Sequence, residues 1–330
     1  MKNYLVGRVL LAGPLLFVVF TVVFSLIHLI PGDPVDFMIG ENAALERKAE
    51  LRTLLHLNEP ILINSKGWSR ESQHQPIGQR LSTAFTETRY AWFFRDLHAG
   101  ELRSLHTQEP VFQLLRPKFA HTLGLASTAL LVAILIALPL GTLAAWRQYS
   151  WLDNTSMVAA LVGISMPNFW LGPLLILGFS IELGWFPVSG ADHPGSLVLP
   201  AITLGLGMSA ILTRITRSSV LDTLGEDYIR TARGKGLSER SVLIRHGLRT
   251  ALTPIITILG LQFGALLAGS IITEEIFAWP GLGREIIEAI RTRDFPVIQG
   301  CVLLISLTYV VVNTITDLLY TLVNPRVRLH

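Results

Sequence analysis

The sequence predicts an all-α, polytopic membrane protein with six transmembrane helices, and three observations predict it. Half of the 330 residues are apolar and only 15% are charged, and a mean hydropathy of +0.49 is far above that of an ordinary soluble domain. Charge-free apolar stretches long enough, or nearly so, to cross the hydrocarbon core of a bilayer recur six times. The Lys and Arg residues lie between these stretches instead of on one basic face, so the net charge of +3 and the pI near 9.2 do not point to nucleic acid.

The first stretch, Val9 to Ile30, closes the N-terminal region 1–30. Lys2 and Arg8 ahead of it resemble the start of a secretory signal, but a signal core is shorter and no A-x-A site follows, so the stretch reads as a retained helix. Residues 31–118 form a long loop, with a solvated insertion at Ser65 to Glu87 rich in Ser, Gln, Thr and Arg. The remaining spans are placed at 119–146, 155–181, 197–213, 251–273 and 297–323, the last charge-free as far as Thr316. A hydrophilic segment, 214–250, separates the fourth span from the fifth.

An even number of spans puts both termini on one side. That side carries Lys2, Arg8, Arg147, eight basic residues between Arg214 and Arg249, Arg326 and Arg328; the opposite short loops carry only Arg284, Arg291 and Arg293. Both termini are therefore expected in the cytoplasm of a bacterial inner membrane protein. The 31–118 loop is long enough to translocate regardless of its charge and is expected in the periplasm.

Helix breakers and small residues interrupt the spans at Pro14, Pro139, Pro167, Gly172, Pro173, Gly205, Gly207 and Pro254, which implies a bundle with a partly polar interior. Gly260, Gly264 and Ala268 recur every fourth residue on one face of the fifth span, the small-xxx-small spacing that lets two helix backbones approach. Packing is the preferred reading of that face, with pore lining as the alternative.

Catalytic signatures are absent: the sequence has no G-x-x-x-x-G-K-[ST], H-E-x-x-H, C-x-x-C or G-x-S-x-G. Gly234-Lys235-Gly236 lacks the upstream glycine and following hydroxyl of a phosphate loop, so any ATP must bind another chain, and no cofactor or metal is expected here. Cys301, the single cysteine, lies in an apolar run and reads as a small packing residue. A carrier driven by ions usually needs ionisable groups within its spans. Here Glu182, Asp317, His28 and His121 all fall near span ends and read as interfacial anchors.

The informative segment is Arg214 to Arg249, with eight basic residues and four acidic ones, Asp222, Glu226, Asp227 and Glu239. Glu226 and Asp227 open a short helix at its positive dipole end, Tyr228, Ile229 and Ala232 form a small apolar face, and Arg230 and Arg233 follow. Gly234 and Gly236 end that helix, and Ser238 caps a second one running through Val242 and Leu243 toward the fifth span. The result is a compact knob suited to helix-in-groove docking. By physics alone, a solvated basic loop anchored to lipid explains the segment equally well.

The run Gly225-Glu226-Asp227-Tyr228-Ile229-Arg230-Thr231-Ala232-Arg233-Gly234-Lys235-Gly236-Leu237 closely resembles the coupling loop of binding-protein-dependent importer permeases of the dipeptide, oligopeptide and nickel class. Against the broader consensus of such loops it keeps Ala232, Gly236 and Leu248, but has Arg230 and Thr231 for the leading Glu-Ala, His246 for Ile and Arg249 for Pro. Ile30-Pro31-Gly32-Asp33-Pro34 is similar to the family's N-terminal signature. Glu275 to Gly283 and Arg293 to Gly300 resemble its last outer loop, and Asn324 to Arg328 its C-terminal ending. Trp279-Pro280-Gly281 also reads as a turn with an aromatic at interface level, and Arg284 to Arg291 as a short amphipathic helix on the outer rim.

The resemblance, with the long first loop, implies the first of two permeases, with the fold of a type I importer of the ATP-binding-cassette (ABC) class. It implies a second homologous permease, two ATPase subunits that dock on Glu226, Tyr228, Ile229, Arg230, Thr231, Ala232, Gly236 and Leu237, and a periplasmic or lipid-anchored substrate-binding protein at the outer face. ATP binding at the partner subunits would rock the helices through the knob, and a charge at Ala232 would uncouple transport from hydrolysis without stopping membrane insertion. Substrate remains open among dipeptides, oligopeptides, glutathione-like compounds, nickel chelates and peptide antibiotics. A stand-alone channel or carrier is the runner-up and a membrane-bound enzyme the third reading; neither explains the knob as well.

Overall fold

The computed structural model describes residues 13–25, 34–40, 42–64 and 76–323, and apart from one antiparallel bridge between Arg103 and Pro110 their regular structure is helical. In chain order the helices are α1 (Gly13–Ser25), α2 (Pro34–Ile39), α3 (Leu45–Leu54), α4 (Ile77–Thr86), α5 (Arg89–Ala99), α6 (Val111–Trp146) and α7 (Trp151–Ser165). Next come α8 (Asn168–Leu175), continued by a π-helical turn over Ile176–Glu182, then α9 (Val198–Leu224) and α10 (Asp227–Gly234). α11 (Glu239–Ser241) passes through a second π-helical turn, Val242–Leu248, into α12 (Arg249–Gly269). α13 (Ile271–Ile276), α14 (Leu282–Thr292) and α15 (Phe295–Val323) complete the described residues.

Four continuous helices, Val111–Trp146, Val198–Leu224, Glu239–Leu267 and Phe295–Leu319, are long and apolar enough to cross a membrane. Among the described residues a fifth helix of that kind exists only if the pair α7 and α8, bent by 102°, counts as one span. The expected first span is represented by α1, and its flanks at 9–12 and 26–30 lie outside the described residues, as do the Ile30 to Asp33 and Asn324 to Arg328 motif positions.

Several boundaries differ from the sequence expectation for identifiable reasons. The 155–181 span is broken at Met166 (φ −87, ψ 114) and Pro167 (φ −69, ψ 140). Proline disfavours the helical region for the residue before it and supplies no N–H, so α7 ends and α8 starts afresh. α6 begins at Val111, ahead of the expected 119, and α9 runs past Arg214 to Leu224. Gln, Arg and Lys are good helix formers, so a helix outlasts its apolar stretch where hydropathy alone would end it. The proposed solvated insertion at 65–87 is helical in part: α4 buries Ala84 along it, while 65–75 lie outside the described residues.

The described chain forms two compact units, one from Pro117–Glu285 with the segment from Ile305 onward, the other from Pro14–Arg116 with Ile286–Leu304. In the larger unit α9 lies between α6 and α12. Ala126, Ala129, Ala133, Ala137 and Ala144 form a fully buried stripe on α6 at helical spacing, and Leu204, Met208, Leu212 and Val220 of α9 pack into clusters with α6 and with Leu266, Leu267, Ala251 and Ile255 of α12. Two glycines set the closeness of α6 and α9. A Cβ on Gly205 would stand 2.8 Å from the Ala129 carbonyl oxygen, and one on Gly141 would stand 2.7 Å from that of Thr213.

In the smaller unit, Phe20 and Phe24 of α1 meet Tyr90 and Phe93 of α5 at ring separations of 5.0–5.7 Å. Asp294, the acidic residue of the Arg293-Asp294-Phe295-Pro296 motif, is buried and accepts from Ser104 Oγ at 2.5 Å and from the Leu105 amide at 3.1 Å. Cys301 is buried.

Candidate functional site

α10 is a short projecting element whose local chemistry follows from its sequence. Glu226 stands at its N-cap position with extended geometry and Asp227 lies in its first turn, both near the positive end of the helix dipole. The chain leaves at Lys235, and Gly236 takes a left-handed conformation (φ +77) that returns its N–H to the Arg233 carbonyl at 2.9 Å, which a residue with a Cβ adopts only under strain. Ser238 Oγ then accepts from the Ser241 amide at 3.4 Å, capping the helical run that leads into α12.

The apolar face of α10 points into the chain. Ile229 is 0% exposed and Ala232 is 7% exposed, packed with fully buried Val242 and against Leu224 at the end of α9. This corrects the expectation that these two residues present themselves to a partner: the apolar face of the knob is used to hold it against α9 and the π-helical turn. What α10 exposes is Glu226, Asp227, Tyr228, Arg230, Thr231 and Arg233, followed by Lys235, Gly236 and Leu237. Tyr228 donates its hydroxyl to Thr250 Oγ1 at 3.0 Å, and Arg233 forks onto Glu239 at 2.9 and 3.2 Å. Both contacts are solvent-exposed, so they orient the surface more than they stabilise it.

Two helical turns before Leu224, α9 carries Arg217. Its Nη2 donates to Oδ2 of Asp153 at 2.7 Å while Nε donates to Oδ1, and Asp153, in the first turn of α7, is 1% exposed. The Tyr149 amide adds a third bond to Asp153 Oδ2 at 2.9 Å. Sequence reasoning registered Arg217 only as one of a count of basic residues and did not register Asp153. An Asp in the first turn of a helix was the available signal, but its partner is 64 positions away.

The small residues of α12 face α15. A Cβ on Gly264 would lie 2.6 Å from the Tyr309 ring, and one on Gly260 would collide with Thr316. Ala268 continues α12, its side chain being outside the described residues. Beyond α12, Glu274 of α13 is 0% exposed and saturated with donors: Thr122 Oγ1 at 2.8 Å and Ser270 Oγ at 3.0 Å on Oε1, and the Gly283 and Arg284 amides at 2.7 and 3.2 Å on Oε2. The turn Trp279 to Gly283 wraps this carboxylate so closely that a Cβ on Gly281 would collide with it. Trp279 itself is buried, donating Nε1 to the His121 carbonyl at 3.1 Å, which corrects the expectation of an interfacial aromatic. Glu274 was missed because it follows the expected end of the fifth span by one residue.

No group of three or more His, Cys, Asp or Glu side chains suited to a metal occurs among the described residues. A groove of about 450 Å³ beside the α7–α8 break is lined by Leu140, Ala159, Gly163, Met166, Leu206 and Thr213 among others, and its walls are almost wholly apolar. The arrangement offers an exposed polar surface on α10 and an internal linkage of helices.

Residues 137–329 match the family described as binding-protein-dependent transport system inner membrane component. The chain is 39% identical over 329 residues to the glutathione transport system permease protein GsiC of Escherichia coli (strain K12), covering 99% of each chain. It is 38% identical over 357 residues to the dipeptide transport system permease protein DppB of Alkalihalophilus pseudofirmus, covering 99% of this chain and 100% of that one. Among solved structures, an inward-facing form of the MetNI methionine ABC transporter aligns with a TM-score of 0.55 at 18% identity, over 66% of this chain and 99% of the other.

Proposed function

We propose a function that proceeds from one premise: the chain belongs to the family of binding-protein-dependent transport system inner membrane components, and is a permease subunit of an ABC importer. The cargo proposed is a short peptide, with glutathione and dipeptides as the first candidates, because relatives spanning the whole chain carry those names. The chain supplies half of the translocation path, with a second, homologous permease supplying the other half. Two ATPase subunits bind and hydrolyse ATP, and a substrate-binding protein delivers the cargo from outside. Six spans, with α1 completing the set and both termini in the cytoplasm, satisfy the distribution of basic residues.

The observation that carries the coupling role is the construction of α10. A helix held by Ile229 and Ala232 against Val242 of the π-helical turn that leads into α12, and against Leu224 at the end of α9, with its polar side exposed, delivers a push at its surface to both long helices. ATP binding draws the ATPase subunits together, and the docked knobs rock the helices as rigid bodies. Arg230, Thr231 and Tyr228 are the residues placed for contact, while Ile229 and Ala232 hold the lever in shape. The test is a pull-down of the chain co-expressed with its genomic neighbours. ATPase subunits are expected to accompany the wild type and to be lost from Arg230→Glu, with membrane insertion unchanged. If no ATPase accompanies the wild type, the coupling role is wrong.

A further inference from the structure

We propose that Arg217 and Asp153 form the link through which movement of α10 reaches the broken pair α7 and α8, Arg217 acting as a positioning residue for coupled transport. The inference rests on the importer reading and deepens it. Leu224, against which α10 packs, and Arg217 are seven positions apart on α9, about 10 Å along the axis and nearly on the same face at about 3.6 residues per turn. Displacement of α9 at the knob therefore arrives at Arg217 in the same direction.

At Arg217 the contact changes character. Its planar fork is bonded at two atoms to Asp153, which constrains direction as well as distance. Asp153 is in turn fastened to the start of α7 twice: its carboxylate accepts from the Tyr149 amide, a residue in left-handed conformation (φ +61), and its own amide donates to Ser150 Oγ at 3.3 Å. Further along, α7 meets α9 through small and apolar groups. A Cβ on Gly163 would lie 3.1 Å from that of Ala210, and the apolar groove opens beside them. Such surfaces transmit a push across the interface, but they carry no directional bond to oppose sliding along the helix axis, which the ion pair supplies. The Arg217–Asp153 pair is the one side-chain ion pair joining α7 to α9 among the described residues. At its other end α7 stops at the Met166–Pro167 break, the place in the larger unit where the chain bends by 102°. α7 is thus a short rod clamped to α9 at one end and hinged to α8 at the other.

The experiment uses the assembled transporter in lipid nanodiscs, with Cys301→Ala removing the native cysteine and spin labels on exposed positions. One label pair, at Gly234 on α10, where an added side chain meets nothing within 4 Å, and Ile315 on α15, reports the knob; a second, at Val158 on α7 and Ile315, reports the rod. In the wild type both distances are expected to shift on addition of ATP and vanadate. In Arg217→Met the α10 shift is expected to persist and the α7 shift to be lost, with an intermediate shift in Arg217→Lys, which keeps the charge but not the fork. Equal α7 shifts in wild type and Arg217→Met would overturn the proposal, as would an α7 distance that does not respond in a wild-type complex whose knob does. Loss of both shifts in Arg217→Met and Arg217→Lys alike, with the ATPase subunits still bound, would also overturn it by reducing the pair to a structural support. Absence of the ATPase subunits from the purified wild type overturns the importer reading itself, and with it this inference.

Discussion

Replacing Ile229 by Ala is expected to loosen α10 from the chain without altering any residue it exposes. The substitution removes three carbon groups from a site with 0% exposure, about 2.4 kcal/mol at about 0.8 kcal/mol for each. The wild-type contact consists of Ile229 and Ala232 against Val242 and Leu224, a burial of about 4 kcal/mol, to which the exposed Arg233–Glu239 pair adds less than about 1 kcal/mol. Helix α10 is then undocked less than about 1% of the time in the wild type and on the order of 10% of the time in the variant, a shift of roughly 50-fold in the local equilibrium at about 1.4 kcal/mol per factor of ten. Amide hydrogen exchange in nanodiscs reads this directly, because exchange through local opening scales with the open population. The amides of α10 are expected to exchange faster by roughly that factor in Ile229→Ala, with those of α9 unchanged. Thr231→Ala, at an exposed position of the same helix, is the control and should leave exchange as it is. Unchanged exchange in Ile229→Ala would refute the packing argument, and acceleration extending through α9 would show that α10 does not open as a separate lever.

Two further outcomes follow from the packing and the charges. Gly264→Ala places a methyl group against Tyr309 and is expected to destabilise the larger unit by about 1–3 kcal/mol; a lowered thermal midpoint in detergent that Tyr309→Ala partly restores checks it. Burial pushes the Asp96 carboxyl above its ordinary 3.8, with His56 at 3.6 Å pulling the other way. The folded smaller unit therefore binds this proton more tightly than the unfolded chain, and its stability falls as pH rises from 3.8 through the raised value. Asp96→Asn is expected to raise the thermal midpoint near neutral pH and to leave it unchanged in strong acid.

Hydropathy alone placed most of the membrane helices, because burying twenty consecutive apolar residues in lipid leaves a chain few alternatives. The knob was legible for a related reason: charges at a helix start, caps and glycines act within a few positions of where they stand, so Glu226 and Asp227 at the positive dipole end, Gly236 at the turn and the Ser238 cap define α10 and its exit without reference to the rest of the chain. The direction in which α10 faces was not legible. An apolar triad on a short helix suits a partner and suits the chain's own α9 equally well, and the burial of Ile229 against Leu224 and Val242 decides between them.

The sequence by itself determined a helical membrane protein, a polar knob between two of its spans and the family resemblance, since each is written in composition or in residues close together along the chain. Only the tertiary structure decided which carboxylates matter inside it. Asp153 and Glu274 look like ordinary helix-end charges in sequence, and their roles depend on Arg217, 64 positions on, and on Thr122, 152 positions back. The α7–α8 bend belongs to the same class: Pro167 announced a break, but the 102° angle is set by how α8 packs, with Gly172 admitting the Phe277 ring to 3.2 Å of where a Cβ would stand. Local rules specify where a helix starts and stops, and long-range packing specifies what it leans on.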